Sequence, residues 1–191
     1  NTNKPMMPEI SLNILDIAEN SIRAGASLVE IEVSVMSRGD ALTVVIKDNG
    51  RGMSAEQTEK VQDPFYTTRT TRKVGLGVPF FKQAAKSTGG SISIVSQPGK
   101  GTVVRAVFKL SHIDRMPLGD ISATIYTLVV FNEKVHFIYT YRYNENKFVL
   151  DTCEIREILG EDISFSNPEV SKFIKENLRS GREETDQGKD I

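Results

Sequence analysis

Asp16 and Asn20 stand four residues apart in LNILDIAENSIRA, a segment with helical apolar spacing, so both project from one face a turn apart, with Asn13 and Arg23 alongside. A carboxylate beside a carboxamide on such a helix can hold a hydrated Mg²⁺ and orient a water. A solvent-facing polar stripe has the same pattern. Asp48-Asn49-Gly50-Arg51-Gly52 directly follows an alternating apolar run. An acid at a strand end can accept a hydrogen bond from an exocyclic amine, and the glycines let a flat ring approach the backbone; an ordinary turn reads the same way. Gly75-Leu76-Gly77 opens a helical pattern after Thr67, Thr68, Arg69, Arg72 and Lys73. Amides at a helix start beside mobile cations suit a phosphate tail, and a flexible basic loop is the plain alternative. Gly99-Lys100-Gly101-Thr102 alone is a hairpin turn.

The elements that must carry these residues follow from periodicity. The first helix is expected from Ser11 as N-cap, with apolar residues at 12, 15, 18 and 22 and Gly25 as its stop. Val29, Ile31, Val33 and Val35 alternate, SRGD turns, and LTVVIKD alternates again, which predicts a β-hairpin over 28–47. Ser54 and Gln57 form a capping box for a short helix. A further helix runs through PFFKQAAKS, where Pro79 is tolerable in the first turn, and SISIVS and TVVRAVFKL form a second hairpin. This order predicts an α+β fold with helices on one face of a largely antiparallel sheet.

Composition shifts near SHIDRMPLGD: eight of 14 glycines lie between positions 50 and 101, while nine of 14 aromatics lie after position 110. The expected division is therefore residues 1–110, an accessory β-rich module over 111–180, and a disordered tail over 181–191. In the module ATIYTLVVF, KVHFIYTYRY and KFVLDT read as three strands, and Pro168 opens a terminal helix. Phe137, Tyr139, Tyr141 and Tyr143 share one strand face, which either packs inside the protein or docks a partner protein. Cys153 reads as a buried or incidental thiol.

Twenty-four basic against 25 acidic residues give a net charge of −1, which argues against polyanion binding, nucleic acid included. No apolar run approaches the roughly 18 residues of a membrane span, and NTNKPMMPEI lacks a signal-peptide core. One cysteine excludes an internal disulfide framework, so a cytoplasmic protein is expected. His112 and His136 leave few options for histidine catalysis.

Together LDIAENSIRAGAS, DNGRGM, DPFYTTR, GLG and GKGT resemble, in order and spacing, the N, G1, F, G2 and G3 boxes of the GHKL ATPases. That group includes histidine kinases, anti-sigma-factor kinases, DNA gyrase, MutL and a heat-shock chaperone. The resemblance covers residues 11–110 and implies a Bergerat-type two-layer α/β sandwich that binds ATP with Mg²⁺ under a flexible lid. It implies that Asn20 coordinates Mg²⁺ and that Asp48 bonds the adenine amino group. It further implies that Gly50 and Gly52 line the base pocket, Gly75 and Gly77 meet the phosphates, Thr102 lies near the adenine, and Arg23 contacts phosphate; Arg72 or Lys73 would join the phosphates by their charge. ENSIRAGAS is more similar to the MutL group; PFYTTR, the short lid and STGGSISIVSQPGKGTVV are more similar to histidine kinases.

Asp16 takes the place of the glutamate general base of hydrolytic members and is one methylene shorter, so it reads as a weak catalytic base or a water-mediated metal contact. The ten residues before the first box are too few for the phosphoacceptor hairpin of histidine kinases, and neither histidine fits the acceptor's place. The expectation is a Mg-dependent, stand-alone regulatory kinase or ATPase that acts on a partner protein through the C-terminal module. The alternatives are a nucleotide-sensing module with negligible turnover and a MutL-like ATPase that acts as a homodimer.

Overall fold

The computed structural model describes residues 8–65, 77–160 and 162–191. Chain order is α1 (Ile10–Arg23), β1 (Leu28–Met36), β2 (Ala41–Asp48), α2 (Ala55–Lys60), α3 (Gly77–Ser87), β3 (Ser91–Gln97) and β4 (Gly101–Lys109). Then follow α4 (Ile121–Phe131), β5 (His136–Tyr143), β6 (Asn146–Asp151), α5 (Thr152–Leu159) and α6 (Pro168–Asp186).

Alternation in each strand puts one set of side chains on a common face, and register turns those sets into rows. Ile94, Val104, Ile46, Ile31, Tyr139 and Leu150 are successive partners across all six strands, which lie in the order β3-β4-β2-β1-β5-β6. All ladders are antiparallel except β1 with β5, which is parallel. On this face Val33, Val44, Ala106 and Tyr141 are fully buried, and α1, α3, α4 and α6 pack around the same apolar cluster. The opposite face mixes exposed apolar residues such as Val95 and Val149 with the charged pairs Lys47–Glu30 and Arg142–Glu32. The mixed α+β architecture expected from the sequence is present.

Several local expectations change. Helix α1 begins one residue before Ser11 and has Glu9 as its N-cap; Ser11 is buried and its hydroxyl donates to Glu9. Its deepest stripe is Ile10, Ile14, Ile17 and Ala18, whereas Leu12 is exposed. Apolar residues occur on two faces of this helix, and only packing between the sheet and α4 selects one. The capping box at Ser54 and Gln57 forms as the sequence requires.

ATIYTLVVF, expected as a strand, is helix α4. Asp120 caps it by accepting from the Ala123 amide, and Ile121, Ile125, Leu128 and Val129 are buried. A β-branched run buried on most sides has no periodicity to separate strand from helix. Tertiary context decides: Thr124 Oγ1 donates to the Ser11 carbonyl of α1, and Ser122 Oγ to the Leu178 carbonyl of α6.

Strands β5 and β6 extend the first sheet through the β1–β5 ladder instead of building a sheet of their own. The tail expected to be disordered is helical through Asp186. Tyr141 Oη donates to Asp186 Oδ2 at 2.8 Å, Arg182 Nε sits 3.3 Å from the same oxygen, and the Leu118 amide donates to the Ile191 carbonyl at 2.8 Å. Burying a carboxylate is tolerable only with such partners. The aromatic stripe is core: Phe137, Tyr139 and Tyr141 are buried, and desolvation, chiefly, holds both tyrosine hydroxyls far above their usual pKa.

Candidate nucleotide site

Asp48 ends β2 where the chain leaves the sheet, and it is nearly buried. Ser21 Oγ, from the last turns of α1, donates to its Oδ2 at 2.7 Å, and the Gly50 amide donates to its Oδ1 at 2.8 Å. Two donors from two elements therefore fix the carboxylate plane before any ligand binds. Gly50 does this work from a buried position and is not on the cavity wall.

The loop after Asp48 is tied down on both sides. Asn49 Oδ1 accepts from the Ser27 and Leu28 amides, and the Arg51 amide donates to the Ala24 carbonyl. Gly52 has φ +66°, and a Cβ there would lie 2.0 Å from the Gln97 carbonyl oxygen. Gly101, at φ +102°, would place one 1.9 Å from the Asp48 carbonyl oxygen. These glycines are demanded by close backbone approach between the G1-like loop and the β3–β4 turn. Thr102 pairs directly with Asp48 across β2–β4, and its hydroxyl lies 2.8 Å from Ser96 Oγ, which also accepts from the Met53 amide.

Beside them lies a cavity of about 280 Å³. Asn20, Arg23, Asp48, Gly52 and Thr102, distant in sequence, meet on its wall with apolar Ile17, Met53, Val78, Ile94 and Val104. A mostly apolar slot with one deep acceptor suits a flat heteroaromatic ring bearing an amine. Sequence reasoning missed Ser21 and Ser96; their signal was slight, since serine on a helix or strand usually has no special role.

At the mouth, Arg23 donates to Asn20 Oδ1 at 3.2 Å and pairs with Glu19 at 3.1 Å, all on exposed surface. Asp16, one turn before Asn20, does not line the cavity. It borders an adjacent groove of about 470 Å³ with Leu12, Phe80, Gln83 and Met116. The start of α3 crowds it: a Cβ on Gly77 would lie 2.9 Å from Asp16 Cβ. Desolvation first, then the charge of Glu19, raises the Asp16 pKa above the ordinary carboxylate value, while Arg23 lowers it. Arg72, Lys73 and Gly75 lie outside the described residues, as do Thr67, Thr68 and Arg69.

A larger cavity of about 730 Å³ opens between the start of α4 and α6, lined by charges of both signs such as Lys175, Arg179, Glu183 and Asp190, and it contains none of these residues.

A six-stranded mixed sheet with this cavity between α1, β2 and β4 defines a Bergerat-type ATPase domain. The chain belongs to the histidine kinase-, DNA gyrase B- and HSP90-like ATPase family, whose model matches residues 9–112. It is 31% identical over 107 residues to a putative sensor protein of Shewanella frigidimarina, covering 56% of this chain and 16% of that one. Sporulation kinase C of Bacillus subtilis is 28% identical over 110 residues, 58% of this chain and 25% of that one. Sensor protein kinase FleS of Pseudomonas aeruginosa is 33% identical over 97 residues, 51% and 24% respectively. The chain thus matches only between about a sixth and a quarter of these relatives' length. A crystal structure of the N-terminal domain of a DNA repair protein shares the fold, with TM-score 0.54 and 15% identity, over 80% of this chain and 57% of that one. Among the described residues no helix is long and apolar enough to cross a membrane.

Proposed function

We propose that the chain binds ATP with Mg²⁺ in the α1–β2–β4 cavity and uses it, as a regulatory kinase or ATPase, to act on a partner protein. The observation that carries this reading is Asp48, held by Ser21 and Gly50 in a mostly apolar slot. A carboxylate accepts from the adenine amino group, and guanine has no amine at that position. The slot walls exclude water from the ring faces, which strengthens that hydrogen bond.

The residues at the mouth fit a metal-bound triphosphate. Asn20 offers a carboxamide oxygen, now held by Arg23, and oxygen donors are what Mg²⁺ takes. When bound, Mg²⁺ would neutralise charge on the phosphates. Arg23 would exchange its contact with Asn20 for phosphate oxygens, with Gly77 and Gly75 assigned to the same tail by the family pattern and Arg72 or Lys73 by their charge. Asp16 is assigned as the base that takes a proton from the attacking water or acceptor hydroxyl. Its raised pKa suits proton acceptance.

A nucleotide-sensing role with negligible turnover is the second reading, favoured by one observation: Asp16 borders the neighbouring groove and not the cavity. Single-turnover assays with Mg²⁺-ATP separate the two. Phosphate release or labelling of an added acceptor protein, abolished in Asp16→Asn, supports the kinase or ATPase. Tight ATP binding with neither supports the sensor. Absence of ATP affinity overturns both.

A further inference from the structure

Three element ends converge on the β5–β6 side of the sheet, far along the ladder from β4. His136 opens β5, Asp151 closes β6 and caps α5, and Cys153 lies in the first turn of α5. The register brings them together: Ile138 pairs with Asp151, and the Phe137 amide donates to Thr152 Oγ1 at 2.9 Å, fixing the strand start against the helix start. His136 Nε2 lies 2.7 Å from Asp151 Oδ1, and the three potential ligand atoms all lie within 4.8 Å of one another. The thiol is exposed, so of the two expectations for Cys153, buried or incidental, burial does not hold.

We propose that His136, Asp151 and Cys153 form a site for a borderline-soft divalent transition-metal ion, with Zn²⁺ as the best-fitting member. One imidazole nitrogen, one carboxylate oxygen and one thiolate sulfur form the mixed donor set that zinc accepts and that Mg²⁺ and Ca²⁺ do not favour. Tetrahedral zinc bonds place ligand atoms roughly 3.3–3.8 Å apart. The His136–Asp151 contact must open by about 1 Å and the exposed thiol must turn inward, neither of which disturbs the core. Asp151 Oδ1 accepts from the Cys153 amide at 2.8 Å, and its second oxygen is on the same carboxylate, so a metal bond need not remove the helix cap.

Charge and protons balance. On metal binding the proton between Nε2 and Asp151 Oδ1 passes to Nδ1, leaving Nε2 and the carboxylate as donors, and the thiol releases one proton to solvent. Thiolate and carboxylate then neutralise the ion. Glu157, one turn after Cys153 on the same helix face, or a water completes the fourth position. The bound ion would clamp β5, β6 and α5 together, independently of ATP.

The test uses the whole chain, stripped with a chelator and titrated with Zn²⁺ alone by calorimetry, then with Co²⁺ by absorption. The expected result is one saturable equivalent in excess Mg²⁺, a thiolate-to-Co²⁺ charge-transfer band, and a melting temperature that rises with Zn²⁺. Cys153→Ser and His136→Gln should each weaken binding at least about tenfold, and Cys153→Ser should lose the band. Melting without metal reports whether either variant folds. Absence of saturable binding, or a Cys153→Ser protein that binds Zn²⁺ as tightly as the parent, overturns the site and leaves only adventitious binding by surface acids.

Discussion

Ser21 Oγ donates to Asp48 Oδ2 at 2.7 Å, joining the last turns of α1 to the end of β2 across 27 residues of sequence. With the Gly50 amide on the other oxygen, this contact aims the carboxylate into the cavity before ligand arrives. Such preorganisation lowers the ordering cost of binding.

Ser21→Ala should weaken ATP binding about three- to tenfold, as expected from a hydrogen bond of about 1 kcal/mol that positions the acceptor. Asp48→Asn removes a charge-assisted acceptor and should cost about 10- to 100-fold. Calorimetric titration with ATP checks both. Equal affinities in parent and Asp48→Asn would remove the assignment of this residue to the base.

Gly99→Ala meets only backbone strain, since φ is +74° and nothing lies within 4 Å; the expected cost is about 1 kcal/mol. Gly52→Ala adds a clash with the Gln97 carbonyl and should cost several-fold more, with loss of nucleotide binding. Denaturant midpoints of the two variants give the ratio.

Asp16 has a folded-state pKa above its ordinary value, so the proton is held more tightly in the folded protein. The associated stability is present below the ordinary carboxylate pKa and is lost as pH rises through the raised one. Asp16→Asn should therefore melt at or above the parent temperature at pH 7, and this difference should shrink in acid. If Asp16 is the base, turnover by the parent should rise with pH through the same raised pKa. The Asp16→Asn variant should then lose on the order of a hundredfold or more in rate, with ATP affinity nearly unchanged. A flat pH profile would count against the role.

Deleting residues 181–191 removes Arg182 and Asp186, and leaves Tyr141 Oη and the Leu118 amide without the bonds they now make to the tail. Losing two buried hydrogen bonds at about 1–3 kcal/mol each should lower the melting temperature markedly. A disordered tail would leave it unchanged. Asp186→Ala alone should be severe, since it strands a half-buried guanidinium, whereas Tyr141→Phe should be milder.

The sequence by itself determined the parts governed by short-range rules. Alternation fixed the core faces of β1 and β2 and put the β5 aromatics on one face without saying what covers it, and the capping box set α2. The order of the boxes was enough to identify the family that residues 9–112 match. Tertiary structure decided what depends on partners remote in sequence. It made 121–131 a helix because α1 and α6 flank it, and it added β5 to β1 through a parallel ladder. It folded the charged tail because Tyr141 and Arg182 offered Asp186 a paired site. It also set Ser21 on Asp48, turned Asp16 toward the neighbouring groove, and brought Cys153 to His136. Periodicity reports which way a side chain faces along its own element; which element covers it depends on strand register and helix packing, for which single-residue spacing carries no signal.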